Sequence, residues 1–213
     1  MKRNRNKLYK FIIVGMILTL SIIFAFQCSD NIWNLYNAYT DSSVFRYVAR
    51  VILDGGMPYK DTFDHRGPLI YLINALGLLI SKKIGVWILE FITIFLAFGF
   101  MYKIARLFCG KGISAMILWL CSSALFKYFE GGNLTEEYAL PFITISIYIF
   151  TDYFLNRKIN IFRLLVCGFC FGAVCMLRIN MVAVWLVMCF GVIVDTILKK
   201  KYEQLGKFIL FFS

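Results

Sequence analysis

Long apolar blocks alternate with short polar and charged clusters along most of the chain. Six blocks come close to the roughly 20 residues that a membrane-spanning helix needs, and they cover residues 9–27, 85–102, 112–127, 138–155, 161–177 and 181–198. A further apolar segment begins at residue 207 and runs to the last residue, 213. The pattern predicts an all-α membrane protein, a polytopic bundle of transmembrane helices. We expect this sequence to be the N-terminal part of a longer protein.

One apolar block, residues 68–80 with Asn74 at its middle, is too short to assign by hydropathy alone. Its length is typical of a helix that lies at the membrane interface, although a short span is conceivable. Orientation discriminates between the two, because cytoplasmic loops collect Lys and Arg. With a cytoplasmic N-terminus and a non-crossing block, 15 of the 23 basic residues lie inside; a crossing block leaves 9 inside and 14 outside. The positive-inside rule therefore favours an interfacial helix.

The same topology separates the two signs of charge. The basic residues predicted to face the cytoplasm are Lys2, Arg3, Arg5, Lys7, Lys10, Lys103, Arg106, Lys111, Arg157, Lys158, Arg163, Lys199, Lys200, Lys201 and Lys207. The acidic residues predicted to lie outside are Asp30, Asp41, Asp54, Asp61, Asp64, Glu130, Glu136 and Glu137. We therefore predict a multi-pass protein of the plasma membrane with a cytoplasmic N-terminus and acidic external loops.

The overall composition supports a membrane location. The chain is 61% hydrophobic and only 16% charged, and its mean hydropathy is +0.75. These values exclude an ordinary soluble enzyme, a disordered segment and a disulfide-linked secreted module. The net charge of +11 is an orientation signal, and no basic soluble domain is available to bind nucleic acid. Membrane lipids are the expected surroundings.

The cysteines give no sign of a disulfide framework, because their number, 7, is odd and most lie in the apolar spans. Cys167 and Cys170 have the spacing of a metal or redox pair. On a membrane helix without a neighbouring His, the better interpretation is that they are buried small apolar residues.

The first external loop, residues 28–84, is the longest polar excursion in the chain. Loops longer than about 15 residues are usually functional or contain structure of their own. Asp41 begins a cluster of helix-capping residues, and the apolar residues that follow have helical spacing up to Gly55 and Gly56. Arg46 and Arg50 occupy the polar side of this predicted helix, which should lie flat at the membrane surface.

Two residues of this loop have both a structural and a functional interpretation. His65 and Arg66 precede the helix start predicted at Pro68, where free backbone N–H groups and a guanidinium suit an anion such as phosphate. Alternatively, Arg66 pairs with Asp64 or Asp61. Asp41 is either a helix cap or a catalytic carboxylate that meets the head group of a lipid-linked substrate, and spacing alone favours the cap.

The second external loop covers residues 127–138. Asn133, followed three residues later by Glu136, matches a capping box, which explains Glu136 better than Glu137. Two consecutive glycines, Gly131 and Gly132, would let the backbone approach a ligand closely.

Two charged residues lie within or beside the spans and are functional candidates by default. Glu90 is in the span 85–102, near enough to its outer end for the side chain to reach the interface. Arg178 is in the short turn between two spans. It either presents a second positive charge to a lipid phosphate or anchors its helix.

Three stretches of the chain together resemble a known family. They are Tyr39-Thr-Asp41-Ser-Ser-Val-Phe-Arg-Tyr47, Gly56-Met-Pro-Tyr-Lys-Asp61-Thr-Phe-Asp64-His-Arg-Gly-Pro-Leu-Ile-Tyr71 and Gly131-Gly-Asn-Leu-Thr-Glu-Glu-Tyr-Ala-Leu-Pro141. The pattern resembles bacterial GT-C fold glycosyltransferases, in particular the dolichyl-phosphate-mannose-protein mannosyltransferase and aminoarabinose-transferase-like group. The resemblance covers nearly the whole chain and the N-terminal half of a typical member.

The resemblance implies a GT-C-like bundle with interfacial helices in the first external loop. It further implies an enzyme of the bacterial plasma membrane that transfers a sugar from a polyprenyl-phosphate-linked donor. The acceptor would be a glycan, lipid or protein of the cell envelope, on the outer face of the membrane. Such a donor already carries a good leaving group, so the protein has to hold the phosphate and orient or deprotonate the acceptor hydroxyl.

By the same resemblance, Asp41 is the catalytic base or organises the acceptor, in some members together with a divalent metal such as Mg or Mn. Arg66 would contact the donor phosphate, where relatives commonly have Lys. The second-loop acid would be Glu136 or Glu137, where relatives often have Asp. Other donor-phosphate candidates are His65 and Arg178, and further site candidates are Asp61, Asp64 and Glu90.

Two other functions compete with this one. A non-enzymatic transporter or flippase for lipid-linked sugars would use charges inside the spans and broken helices, whereas this chain keeps its charges mainly in external loops. The other alternative is a membrane-embedded scaffold or an inactive truncated subunit.

Overall fold

The computed structural model of the chain describes residues 2–28, 31–33, 40–129, 131–158 and 160–198. Within these residues it contains eight α-helices, one short 3₁₀ helix and no strand, as the sequence predicts. The helices are α1 (Lys2–Ala25), α2 (Thr40–Leu53), α3 (Pro68–Ile80), α4 (Gly85–Phe108), α5 (Lys111–Phe126), α6 (Thr135–Asn156), α7 (Ile161–Leu177) and α8 (Ala183–Leu198), with the 3₁₀ helix at Ile179–Val182. The apolar segment from residue 207 lies outside the described residues.

Four helical segments are long and apolar enough to cross a membrane: Lys7–Ala25 of α1, Gly85–Phe108, Thr135–Asn156 and Ile179–Leu198. The other two predicted spans form α5, of 16 residues, and α7, of 17 residues. Helix α4 continues six residues beyond the predicted end at 102, because residues such as Lys103 and Arg106 are good helix formers even though they are not apolar.

One end of the bundle carries the first loop, and we call it the loop end. Here the end of α1 meets the end of α5, because the Gln27 side chain donates to the carbonyl of Phe126 at 3.0 Å. The starts of α4 and α6 also meet, because the backbone N–H of Asn133 donates to Glu90 at 3.2 Å. Consecutive helices α4 to α8 therefore run in alternating directions.

Helix α3 begins and ends at the loop end. The N–H of Gly67, just before α3, donates to the carbonyl of Leu177 at the end of α7, at 3.3 Å. At the other end of α3, Gly77 packs against Val86 at the start of α4. Both neighbours belong to the same end of the bundle, so α3 lies across it, as the charge count predicts. Pro68 occupies the first turn of α3, in agreement with the predicted helix start.

The contact between Gly67 and α7 depends on the missing side chain. A Cβ atom at this position would overlap the carbonyl oxygen of Met176. The backbone of the first loop therefore lies directly on the end of α7. This brings the residues before α3 next to the α7–α8 turn.

Two apolar clusters hold the bundle together. The larger joins α2, α3, α6, α7 and α8 around Tyr71, Tyr138 and Trp185. The smaller joins α1, α4 and α5 around Phe24 and Phe98. Helices α4 and α6 pack against each other and link the two clusters, so the starts of these helices form the centre of the loop end.

Charge is distributed unevenly between the two ends. The opposite end has the ion pairs Arg163–Asp152 and Arg157–Asp195, which connect α6 to α7 and α8. Among the residues that the structure describes, Asp152 and Asp195 are the two acids of this opposite end. The other described acids lie at the loop end: Asp41, Asp54, Asp61, Asp64, Glu90, Glu136 and Glu137. The predicted separation of acids from the basic end is thus present along the bundle axis.

Candidate functional site

A cleft of about 550 Å³ opens at the loop end, between the first loop and the α7–α8 turn. Its lining includes Arg66 and His65 from the first loop and Arg178 and Asn180 from the turn. We call it the arginine cleft. All three residues that the sequence suggests for phosphate binding, Arg66, His65 and Arg178, therefore line one cavity, although they come from distant parts of the chain.

Arg66 is held in place from several directions. Its Nη2 atom lies 2.6 Å from Asp41 Oδ2, and its Nη1 atom lies 3.5 Å from Asp64 Oδ1. The guanidinium is 4.9 Å from the centre of the Phe45 ring, and the Tyr59 hydroxyl donates to the Arg66 carbonyl at 2.5 Å. The sequence allowed Arg66 to pair with Asp64 or with Asp61, and the pair with Asp64 is present. Asp41, which was not a predicted partner, lies closer to Arg66 than Asp64 does.

Asp41 does not occupy the capping position that its sequence context predicts. Helix α2 begins at Thr40, so Asp41 lies in the first turn, where a negative charge still interacts favourably with the helix dipole. Its carboxylate pairs with Arg66, a stronger partner than a backbone amide. The side chain is 42% exposed, so the carboxylate is also open to solvent.

The other acids of the first loop have different roles. Asp61 accepts a hydrogen bond from the backbone N–H of Met57 at 2.7 Å and closes a turn. It does not line the arginine cleft. Asp64 does line the cleft, is almost fully buried, and lies 3.3 Å from Nδ1 of the exposed His65. Of these two candidate acids, only Asp64 belongs to the cleft.

Two tyrosines lie at the arginine cleft, one in its lining and one packed against the first. Tyr71, in α3, is fully buried, and its ring centre lies 6.0 Å from that of Tyr59, which lines the cleft. Burial, and then the nearby Asp64 carboxylate, raise the pKa of both phenols. Both therefore remain protonated hydrogen-bond donors at neutral pH. Tyr71 is the last residue of the second stretch that carries the family resemblance, but it was not among the predicted site residues.

The structure distinguishes the two acids of the second loop. Glu136 forms an ion pair with Arg178 and also accepts from the hydroxyl of Thr135 at 2.7 Å. Glu137 points inward and accepts from the backbone N–H of Leu134 at 2.9 Å. The capping bond predicted for Glu136 is therefore made by Glu137, because Leu134, one residue later than expected, precedes the helix. Glu136 instead pairs with Arg178, which lines the cleft.

Glu90 does not extend to the interface, although its position in the sequence would allow it. It is fully buried and accepts from the backbone N–H of Asn133 at 3.2 Å. Glu137, whose carboxyl group interacts electrostatically with that of Glu90, is likewise fully buried. The structure thus buries two neighbouring carboxyl groups at the loop end.

Asn133 links three parts of the loop end. Its amide nitrogen donates to Ser42 Oγ and Asn74 Oδ1, each at 2.9 Å, and the Asn74 amide donates back at 3.1 Å. All three side chains are buried. Together with Glu90 and Glu137 they form what we call the buried polar cluster. One sign of this cluster is visible in the sequence, the polar Asn74 within an apolar block.

The backbone of the second loop is tightly constrained beside this cluster. Asn133 has φ 54°, in the left-handed region that Asn tolerates better than most residues. Gly132 has φ 62°, and a Cβ atom there would lie 2.6 Å from Cys28 Cα. The two glycines were predicted to let the backbone approach a ligand closely. In the structure, the backbone at Gly132 instead lies close to Cys28, just after the end of α1.

The described residues contain no group of three or more His, Cys, Asp or Glu side chains that could hold a metal ion. Asp41, the position at which the family resemblance allows a divalent metal, is engaged by the Arg66 guanidinium. These residues do not fit a metal site. Cys167 and Cys170 are buried in apolar surroundings, as expected of small apolar residues.

Comparison with known proteins identifies one matching family model, which covers residues 2–208. Its description is "Putative competence-induced protein Ccs4 N-terminal domain". No curated protein sequence and no solved structure matches the chain. The matched range includes both segments that line the arginine cleft, the first loop and the α7–α8 turn.

Proposed function

The chain belongs to the Ccs4 N-terminal domain family, and we propose that it is a membrane glycosyltransferase. It would transfer a sugar from a polyprenyl-phosphate-linked donor to a cell-envelope acceptor on the outer face of the bacterial plasma membrane. One observation carries the proposal: the arginine cleft contains two arginines, and each is paired with a carboxylate that the sequence suggests for catalysis.

The cationic side of the cleft suits the phosphate of the donor. A guanidinium binds phosphate oxygens through two parallel hydrogen bonds. Arg66 and Arg178 lie on opposite sides of a cavity whose volume is in the range of small-molecule sites. His65 adds a further donor at the exposed rim. Charge that develops on the departing phosphate would be stabilised by these groups.

The two carboxylates that pair with the cleft arginines suit the acceptor. When the C1–oxygen bond to the phosphate breaks, the acceptor oxygen forms the new bond to C1 and its proton passes to a carboxylate. Asp41 is the better candidate for this base, because it is partly exposed and lies 2.6 Å from the arginine that would hold the phosphate. Glu136 occupies the corresponding position beside Arg178 and would orient the acceptor.

Binding of the donor phosphate depends on the two cleft arginines in this proposal. Arg66→Gln and Arg178→Gln should each weaken binding of polyprenyl phosphate by about 10- to 100-fold, because each removes a charge-assisted hydrogen bond. The measurement is titration of the purified chain in nanodiscs. Lys60→Gln removes a charge at the same end outside the cleft and serves as the control. Equal binding by all four proteins would contradict the proposed site.

The proposal also requires the loop end to face outward. In a variant whose native cysteines have been replaced, Lys82→Cys at the loop end should react with a membrane-impermeant thiol reagent added to intact cells. Lys103→Cys, toward the opposite end of α4, should react only after the cells are permeabilised. The reverse labelling pattern would place the arginine cleft in the cytoplasm and exclude an external acceptor.

The buried carboxyl pair favours a second candidate function, transport of a lipid-linked sugar. Ionisable groups within spanning helices often mark substrate or proton pathways, and Glu90 and Glu137 are fully buried near the starts of α4 and α6. A transporter would move the intact lipid-linked sugar across vesicle membranes. A transferase would instead release polyprenyl phosphate, so analysis of the lipid product separates the two functions.

A further inference from the structure

A second cleft lies away from the arginine cleft, where the end of α2 meets the end of α3. It has a volume of about 390 Å³ and is lined by Arg50, Leu53, Asp54, Leu78 and Lys82. None of these residues lines the arginine cleft. We propose that this α2–α3 cleft binds the head group of an anionic phospholipid.

The charges of the α2–α3 cleft favour an anion. Two of its five lining residues are cations, and one is an acid. Arg46 adds a third cation nearby, because its side chain reaches the backbone carbonyl of Lys82 at 3.5 Å. Lys83, the next residue, is also exposed. A negatively charged phosphate between Arg50 and Lys82 would therefore meet an excess of positive charge.

The two lining cations differ from four other arginines of this protein. Arg66, Arg157, Arg163 and Arg178 each form an ion pair with a carboxylate. Within the part of the chain that the structure describes, neither Arg50 nor Lys82 has such a partner. Both are exposed at the cleft. These cations are thus available to an external anion without breaking an internal pair.

The surroundings of the cleft favour a lipid over a soluble anion. Helix α3 carries an exposed apolar face made of Leu72, Leu76, Leu79 and Ile80, whose exposed fractions range from 49 to 69%. This face ends two residues before Lys82. In a membrane protein, such a face beside a cationic cleft gives acyl chains an apolar surface while the phosphate contacts the cations. The pairing of the two surfaces matches the amphipathic structure of a phospholipid.

The test is selective lipid binding by the purified full chain. Native mass spectrometry in detergent should show phosphatidylglycerol retained in preference to phosphatidylcholine, which has the same acyl chains and no net charge. Arg50→Gln and Lys82→Gln should each weaken phosphatidylglycerol binding about fivefold, and together about 25-fold, from the usual contribution of one basic residue near an anionic lipid. Arg50→Lys, which keeps the charge, should retain most of the preference.

Matched controls separate this site from other causes. Lys60→Gln removes a cation at the same end outside both clefts and should bind phosphatidylglycerol like the original chain. Equal retention of the two lipids by the original chain would overturn the proposal. So would effective competition by inorganic phosphate, which would indicate a site for a soluble anion.

Discussion

Asp41→Asn is expected to lower sugar transfer from a polyprenyl-phosphate donor by about 10²- to 10⁴-fold, the usual contribution of a general base. The substitution keeps the shape of the side chain but removes its capacity to take a proton. The amide oxygen can still accept a hydrogen bond from Arg66, which now lies 2.6 Å from the carboxylate. The arginine cleft should therefore keep its geometry while the chemical step slows.

The measurement is the formation of glycosylated product in membranes that contain equal amounts of each variant. Asp54→Asn is the matched control, because Asp54 is an exposed acid at the same end and, among the described ion pairs, is not a partner of Arg66 or Arg178. It should transfer at the rate of the original chain. Transfer at that rate by Asp41→Asn would rule out Asp41 as the base.

Binding and transfer respond differently to the two kinds of substitution. Asp41→Asn should still bind polyprenyl phosphate, because both cleft arginines remain. Arg66→Gln should lose binding. If Asp41→Asn lost donor binding to the same extent as Arg66→Gln, the role of Asp41 would be to position Arg66, and another group would have to take the proton.

Asn133→Ala is expected to destabilise the protein by about 3–5 kcal/mol. The change removes the side-chain hydrogen bonds to Ser42 and Asn74 and leaves their buried polar atoms without those partners, which costs about 1–3 kcal/mol for each group. It also places Ala at φ 54°, a conformation that Ala adopts less readily than Asn.

Reversible unfolding in detergent micelles, followed by circular dichroism, measures the effect. Asn160→Ala is a suitable control, because Asn160 makes one exposed capping bond, to the N–H of Phe162 at 3.2 Å. That substitution should cost only about 1 kcal/mol. A similar small loss for Asn133→Ala would show that the buried polar cluster contributes little to stability.

The buried polar cluster also connects the two halves of the proposed site. Ser42 follows Asp41 directly, while Asn133 lies three residues before Glu136. The hydrogen bond between Ser42 and Asn133, at 2.9 Å, therefore links the loop that carries the candidate base to the loop that carries the second acid. A loosened cluster would change the separation of these carboxylates without removing either of them.

Several features of the fold follow from local sequence. The apolar blocks predicted the helices, and Pro68 after Gly67 predicted the start of α3. The end of α2 agrees with its glycines, since Gly55 adopts φ 89°. The distribution of Lys and Arg favoured an α3 that does not cross the membrane, and the structure lays α3 across one end of the bundle. These predictions succeed because hydropathy, helix capping and turn conformation depend mainly on neighbouring residues.

The errors concern residues whose partners lie far away in the sequence. The sequence left Glu90 able to reach the interface, but the side chain turns inward, where the backbone N–H of Asn133 donates to it. The roles of Glu136 and Glu137 were exchanged by a shift of one residue in the start of α6. Successive residues of a helix are rotated by about 100°. This rotation is enough to direct Glu136 toward Arg178 and Glu137 toward the core.

By itself, the sequence determined that this is an all-helical membrane protein with acids gathered at one end and with its candidate chemistry in two loops. Only the tertiary structure decided which carboxylate meets which arginine, that Arg66 and Arg178 share a cleft, and that Asn133 joins both loops. The physical reason is one of range. Burial in lipid and helix formation are set by runs of adjacent residues, whereas a hydrogen bond of about 3 Å between distant residues depends on how the helices pack.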